Sequence, residues 1–361
     1  MCTKPYLVIF WLTNLPRRFQ EELLSRRVVY FIDNKIFFRC RRAEYAESCY
    51  DTKHPTPPEM NGASLLPTSL RMLDPIIDFG TLLVYYTGRV LSDQKDAEAA
   101  MAGIVRRVSE KGHTEFFQGL PMSVLDVFLL FKSCGNSVMK RRREFPSYSW
   151  LGWQGQVKVD DPLPDINTWL EMRTWIVWYR LTRAGLRKLV REPAEIPPEY
   201  VGYRRRRSFP RDKLDGAVTP RPRSFPSRPT QNLEFPANVE YPILQFWTLS
   251  IRLKLDRVDV FRGSADLVNV REQAVGRISL DGFEEFDFFE SREPFELIVL
   301  SSGLVHVPVD IPGRTFIEGF NVMLLEWSEG VAERRGIGTV GTSALATSFD
   351  PGPTWKEILL K

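Results

Sequence analysis

Three glycines, Gly336, Gly338 and Gly341, match the G-x-G-x-x-G spacing of loops that bind dinucleotides. That chemistry requires a preceding strand, a helix whose N-terminal amides meet the pyrophosphate, and an acidic residue about 20 residues further on. Here the polar residues 333–335 precede the glycines, and Pro351 follows after only a short stretch. We therefore expect the glycines to permit a bend or a bulge in a strand, and not to bind a cofactor.

Acidic and aromatic residues are concentrated at positions 281–293, where carboxylate pairs could support acid–base catalysis. Such pairs need two unequal environments within a cleft. The segment intersperses six acids with four phenylalanines, which is typical of a surface segment whose aromatic rings turn inward. A structural or partner-contact role is the favoured interpretation, and catalysis is the alternative.

The basic residues cluster between positions 200 and 232, where nine Arg and Lys residues accompany only Asp212 and Asp215. Regularly interleaved aromatics, which form the platform of single-strand nucleic-acid binders, are missing, so nucleic acid is not an expected partner. The segment is interpreted as solvated, and binding of another polyanion is the alternative. Phosphate oxygens would then pair with four guanidinium groups, those of Arg204, Arg205, Arg206 and Arg207.

Metal-ligating side chains are scattered through the sequence, with no C-x-x-C and no close Cys–His pair. Zinc sites of the finger or ribbon type need such pairs because a short turn presents two ligands to one ion. No catalytic residue, cofactor-binding residue or metal ligand is therefore assigned, and no cofactor is expected. The scattered cysteines favour a reducing, intracellular setting. The apolar run 6–12 is far shorter than the roughly 20 residues of a membrane-spanning helix, so no membrane partner is expected.

The most distinctive aromatic cluster spans positions 146–155. Two tryptophans three positions apart, with glycines beside them, indicate a closely packed backbone anchored by large rings. No nucleophile with a nearby histidine and acid can be assembled from these spacings. A structural corner is the favoured interpretation, and an aromatic recognition surface is the alternative. The segment reads Pro146-Ser147-Tyr148-Ser149-Trp150-Leu151-Gly152-Trp153-Gln154-Gly155.

The hydrophobic periodicity changes along the chain. A hairpin is predicted over 26–40, with Asp33 and Asn34 at its turn. Helices are predicted over 74–87, from Ser92 to Gly112, and over 123–132. Beyond residue 141 the period becomes two, and strands are predicted over 174–180, 247–256, 275–280, 295–300, 321–327, 331–336 and 355–360, with residues 328–330 as a turn.

These elements, in a chain that is 43% hydrophobic and 26% charged, predict a globular α+β protein. The expected fold is a helical N-terminal half packed with a mostly antiparallel β C-terminal half. The expected domains are residues 1–50, a helical region 68–160 that ends in the Trp/Gly corner, and a β-rich domain formed by 161–192 and 241–361. Residues 193–240 are expected to form a disordered basic insertion rich in Pro and Arg.

The aromatic cluster resembles the P-S-W-S-W-x-G-W-x-G segment of fungal heterokaryon-incompatibility (HET) domain proteins. Residues 20–27, 85–96, 119–121, 322–338 and 355–358 are similar to further segments of that family, in the same order. Motif residues implied by the resemblance, and interpreted as structural, are Gln20, Glu21, Pro146, Ser147, Ser149, Trp150, Gly152, Trp153, Gly155, Glu326, Trp327, Arg334, Arg335, Gly336 and Trp355.

The resemblance implies that residues 1–50 are the end of a HET domain whose larger part is missing, as in a truncated paralogue or a gene with a misplaced start codon. It also implies a cytoplasmic protein of allorecognition and programmed cell death, with a protein partner from an incompatibility system. We expect a non-enzymatic regulatory or interaction protein. The alternatives are an NAD-consuming cell-death effector, if the upstream half exists, and a polyanion-binding protein that acts through residues 200–232.

Overall fold

A computed structural model places the chain in two compact units, Met1–Gly112 and His113–Lys361. The predicted insertion 193–240 lies almost entirely outside the described residues, as does most of the acidic run 281–293. The structure describes residues 7–11, 16–25, 27–32, 35–40, 44–46, 75–135, 139–159, 166–190, 235–236, 239–282, 293–306 and 316–361.

The first unit contains a four-stranded sheet in which the strands follow their chain order. Helix α1 connects the parallel strands β1 and β2, and β2 continues into an antiparallel pairing with β3. Ile32 lies opposite Lys35, which matches the hairpin predicted over 26–40; its turn residues lie outside the described part of the chain. The elements are β1 (Leu7–Trp11), α1 (Pro16–Leu24), β2 (Arg27–Ile32), β3 (Lys35–Cys40) and β4 (Glu44–Ala46).

Two further helices of this unit, α2 (Pro75–Thr87) and α3 (Ala102–Gly112), pack against each other and bury their apolar stripes. The helix expected to begin at Ser92 starts differently. Asp93 is the cap, because its side chain accepts a hydrogen bond from the Lys95 amide, and two short 3-10 turns precede α3.

No helix among the residues that the structure describes is long and apolar enough to cross a membrane.

The second unit begins with short elements, and the helix predicted over 123–132 is reduced to a 3-10 turn and the four-residue α4. Residues 124–129 are almost all buried, so their apolar run reflects burial on every side and not the single face of a long helix. The elements are β5 (Phe116–Phe117), β6 (Leu120–Pro121), α4 (Leu125–Phe128), β7 (Lys132–Ser133), β8 (Lys140–Arg141), β9 (Trp153–Gln154), β10 (Val157–Lys158) and α5 (Ile166–Arg173).

A nine-stranded, mainly antiparallel sheet forms the rest of the second unit. Residues 174–178 of one predicted strand are irregular, and pairing begins only at Tyr179. The other strands predicted beyond residue 240 lie within observed strands. The elements are β11 (Tyr179–Leu181), β12 (Arg187–Leu189), β13 (Ile243–Asp259), β14 (Ser264–Val268), β15 (Ala274–Leu280), β16 (Phe295–His306), β17 (Phe316–Ser328), β18 (Val331–Gly341), α6 (Ser343–Ala346) and β19 (Thr354–Leu360).

The long strand β13 closes the sheet on itself. It pairs with β14 near one end and with β16 in its middle, so β13, β14, β15, β18, β17 and β16 form a closed ring. β11 and β19 pair with its first half. Alternate residues of these strands, such as Leu249, Ile251 and Leu253, are fully buried, as the period of two requires.

The turn between β17 and β18 matches its prediction. Ser328 lies opposite Val331, and the two residues between them, Glu329 and Gly330, both adopt positive φ angles, 53° and 79°. Two positive φ angles are characteristic of the tight turns whose twist suits a hairpin.

The predicted helical N-terminal half is wrong. Strands predominate, and the helices are few and small among the residues that the structure describes. The described residues up to 46 form mainly strands, and those within 113–159 form turns, two-residue strands and only the four-residue helix α4. The longest helices of the described N-terminal residues are those over 75–87 and 102–112, where helical spacing coincides with one buried face.

Candidate functional site: the Trp/Gly corner

The Trp/Gly corner, residues 139–155, is a tight loop in which β8 pairs with β9. Gly152 permits it, because a Cβ at that position would lie 2.2 Å from the Pro146 carbonyl oxygen. Gly155 adopts a φ of 133°, which side-chain-bearing residues rarely adopt. The backbone therefore requires glycine at both motif positions.

Both motif tryptophans are buried, and each indole donates to a backbone carbonyl. The Trp150 Nε1 atom lies 2.7 Å from the oxygen of Gly119, and the Trp153 Nε1 atom lies 2.8 Å from that of Ser147. These bonds satisfy the only polar atom of each side chain. The indoles are thus anchors of the corner and present no recognition face to solvent.

The hydroxyl groups of the corner are also used internally. Ser149 Oγ donates to the Gln118 carbonyl at 2.6 Å and accepts from the Leu151 amide at 3.0 Å. Ser147 Oγ donates to the carbonyl of Lys361, and the Tyr148 hydroxyl donates to that of Pro242 at 2.6 Å. Burial raises the pKa of Tyr148 well above its ordinary value. These bonds fasten the corner to the large sheet.

A fully buried ion pair lies beside the corner and joins β18 to the residue that follows β15. Arg334 Nε lies 2.6 Å from Asp281 Oδ2, and both side chains have zero exposure. The same guanidinium donates to the carbonyls of Leu129 and Phe131, and it lies 3.5 Å from the centre of the Phe131 ring. The Arg334 amide donates to Ser147 Oγ at 2.9 Å. The Arg334 side chain therefore connects β18 to Asp281 and to the chain after α4, while its backbone amide connects β18 to the corner.

The charges of this pair are costly to bury. Desolvation raises the pKa of Asp281 and lowers that of Arg334, and their mutual attraction opposes both shifts. Among the described residues, Asp281 Oδ1 has no hydrogen-bond partner. The free-energy cost of burying the two charges is offset mainly by the Arg334–Asp281 bond and by the hydrogen bonds from Arg334 to backbone carbonyls.

Two further arginines hold the carbonyls of the tight loop. Arg141 donates to the oxygens of Phe145 at 2.7 Å and Gly152 at 3.1 Å, and Arg142 donates to those of Leu151 and Trp153. Burial lowers the pKa of Arg141. Because guanidinium groups carry donors in a fixed fork, each can satisfy several carbonyls that a tight turn leaves without partners.

The C-terminal motif residues lie on the sheet. Arg335 pairs with Glu326 across β17 and β18, and Trp327 Nε1 donates to Glu296 at 2.9 Å. Trp355 lies on β19 opposite Leu249. Arg335, Trp327 and Trp355 contact neighbouring strands, and of the C-terminal motif residues it is Arg334 that contacts a serine of the corner.

The G-x-G-x-x-G sequence lies inside β18. Cβ atoms at Gly336 and Gly338 would approach the backbone oxygens of Ser279 and Arg277 to 2.6 and 2.4 Å. The register shifts at Arg335, which marks a bulge. The helix that follows, α6, has only four residues. Gly336 and Gly338 therefore allow the neighbouring strand to approach closely beside a bulge, as their sequence context indicates.

In the first unit, the motif residue Gln20 connects two helices. Its Oε1 atom accepts a hydrogen bond from the Gly103 amide at 2.6 Å, near the start of α3. Its neighbour Glu21 is exposed. The two adjacent motif residues therefore differ in role, and only Gln20 has a structural contact of this kind.

Replacing Gln20 with leucine is expected to destabilise the first unit by about 1–3 kcal/mol, because the Gly103 amide loses its partner. Glu21→Ala is the matched control and should change the free energy of unfolding by less than about 0.5 kcal/mol. Urea denaturation of the full chain, with hydrogen exchange to localise the change, measures both. Equal effects of the two substitutions would contradict the structural role of Gln20.

Some predicted site residues lie outside the described part of the chain, namely Arg204, Arg205, Arg206 and Arg207. No group of three or more potential metal ligands occurs among the residues that the structure describes.

The pairing of Asp281 with Arg334 was not predicted, because 53 positions separate them. The available signal was Arg334 itself, which falls on the inward face of a strand where an apolar residue is expected.

Comparisons of this chain with models of protein families, with curated proteins and with solved structures find no match.

Proposed function

We propose that this protein is a non-enzymatic regulatory or interaction protein of the heterokaryon-incompatibility type, acting through a protein partner in allorecognition cell death. The observation that carries the non-enzymatic part is the internal use of the corner's polar groups. Both serine hydroxyls and both indoles donate to carbonyls of the chain itself.

Catalysis by the corner would need a nucleophile beside a base, or an acid that is open to substrate. Ser147 and Ser149 contact backbone groups and not a base. Asp281 is fully buried against Arg334, and the carboxylate of Glu333 lies beside Arg141 and not beside either serine. This arrangement supports a scaffold that holds other surfaces in position.

The incompatibility part of the proposal depends on the motif resemblance. The motif residues of the corner and of β18 belong to one bonded network, since Arg334 contacts Ser147. Residues that are far apart in sequence but share one network favour a common architecture over chance similarity of short segments. This supports the family resemblance as a property of the whole second unit.

Incubating the purified full chain with NAD⁺ tests the non-enzymatic part. We expect the NAD⁺ concentration to stay at that of a protein-free sample, measured by an enzymatic cycling assay. Turnover that Glu21→Gln abolishes would replace this proposal with the NAD-consuming alternative. Turnover that survives this substitution would also contradict it.

Forced fusion of fungal strains tests the incompatibility part. Strains that express the chain are fused with strains that lack it, and dead hyphal compartments are counted by uptake of Evans blue. We expect expression in one parent to change the dead fraction relative to fusions between non-expressing parents. An unchanged fraction in every pairing would reject this part.

A further inference from the structure

The hairpin between β13 and β14 presents an apolar tip, Val260 and Phe261, to solvent. Phe261 is 85% exposed and Val260 is 47% exposed. Single exposed apolar residues are common on protein surfaces. Two adjacent exposed apolar residues, one of them a phenylalanine, indicate a binding surface more strongly when the backbone that carries them is held in one conformation.

The tip is held in one conformation by side-chain and backbone bonds. Asp259 Oδ1 accepts the amides of Phe261 and Arg262, both at 3.1 Å. Gly263 adopts a φ of 56°, and its carbonyl accepts the Leu280 amide at 2.7 Å. A preorganised turn loses little conformational entropy on binding, which favours its use as an anchor.

Two arginines flank the apolar tip and remain available for a partner. The side chains of Arg257 and Arg262 are 80% and 70% exposed, and their Nε atoms lie 3.8 and 3.7 Å from Asp256 and Asp259. Among the described residues, neither guanidinium donates a hydrogen bond to another group of the chain. Aromatic and arginine side chains dominate the energetics of protein interfaces.

We propose that this tip is the docking site for a protein partner with an apolar pocket bordered by carboxylates. Phe261 fills the pocket, and the forks of Arg257 and Arg262 bond the carboxylates. The inference deepens the proposed function, on which it rests, by naming the interacting surface. Because Asp256 and Asp259 balance the two arginines, the tip has no net charge to attract an anionic membrane, and a protein is the favoured occupant.

The test begins with photo-crosslinking in the hyphae. A benzoylphenylalanine replaces Phe261 in the full chain, and a second variant carries it at Leu186, which is 59% exposed beside another turn. We expect a protein adduct at position 261 and not at 186. Absence of a protein adduct specific to position 261 would overturn the inference.

The adduct partner is then purified and titrated calorimetrically with defined variants. We expect Phe261→Ala to weaken its binding about 30-fold or more, and Leu186→Ala to leave it unchanged. Arg262→Glu should also weaken binding and be rescued by a Glu→Arg substitution at the partner's contact site. Wild-type affinity of Phe261→Ala, with its unfolding temperature unchanged, would overturn the inference.

Binding to a membrane is tested by pelleting the chain with vesicles of phosphatidylcholine and phosphatidylserine. Pelleting of the chain that depends on Phe261 would assign the tip to a lipid surface and overturn the inference.

The fusion assay distinguishes failure of the docking site from failure of the proposed function. If the wild type changes cell death and Phe261→Ala does so equally, the docking site is wrong but the proposed function stands. If the wild type has no effect, the proposed function fails.

Discussion

Replacing Arg334 with methionine is expected to lower the free energy of unfolding of the second unit by about 3–5 kcal/mol. The substitution leaves the Asp281 carboxylate buried without its cation, and removing one partner of a buried pair is costly for that reason. It also leaves the carbonyls of Leu129 and Phe131 without this donor. Chemical denaturation of the full chain, monitored by tryptophan fluorescence, measures the change.

The pH dependence provides a second readout of the same substitution. Burial raises the pKa of Asp281 above its ordinary value of 3.8, and Arg334 opposes that shift. Without Arg334 the folded-state pKa rises further, so the folded chain binds a proton more tightly than the unfolded chain. The free energy of unfolding of Arg334→Met should therefore fall more steeply than that of the wild type as the pH rises above 3.8.

Two controls make the Arg334 prediction specific. Arg277→Met removes an exposed arginine from β15 and should cost less than about 0.5 kcal/mol. The double variant Arg334→Met with Asp281→Leu removes both charges and should recover part of the loss, but not the carbonyl bonds. A cost below about 1 kcal/mol for Arg334→Met alone would contradict the assigned role of this pair.

Replacing Gly152 with alanine is expected to cost about 3 kcal/mol or more. The new methyl group would meet the Pro146 carbonyl oxygen at 2.2 Å and its carbon at 3.0 Å, and both are backbone atoms that cannot rotate away. The loop would have to shift, which strains the Gly152 bonds to Ser149 and Arg142. Thermal and urea denaturation of the variant measure the loss.

Gly341→Ala is the matched control for Gly152→Ala. Its Cβ would find no atom closer than 3.5 Å, and its φ is not in the left-handed region. At such a position alanine stabilises slightly or is neutral, because it restricts the unfolded chain. If both alanine variants unfold at the same denaturant concentration, the steric explanation of the corner is incorrect.

Much of the β structure is predictable from local sequence. The alternation in β13 and the residues of the β17–β18 turn specify these elements through side-chain period and backbone φ preference. The corner is also predictable as a structural feature, because its two tryptophans and neighbouring glycines indicate anchors and a tight backbone. These signals are local, so a single sequence contains them.

The other features depend on distant partners. In the large sheet β13 pairs with four different strands, two of which close the ring, and a pattern of alternating residues does not indicate which strands pair. The helical half was wrong because apolar runs such as 124–129 are buried on all sides, where helical spacing is uninformative. Within the candidate site, the position of Arg334 on an inward strand face was visible, but its acid was not.

The sharing of β13 among its four partner strands has a consequence for how the second unit folds. Its partners include β11, which precedes it in the chain, and β19, about a hundred residues after it. The nine-stranded sheet cannot be completed until both flanking stretches of chain have been synthesised and brought together. Assembly of the complete sheet is therefore expected to be slow. In nascent chains that end before β19, residues 244–250 of β13 lack that partner strand, and chaperones are the expected safeguard during synthesis.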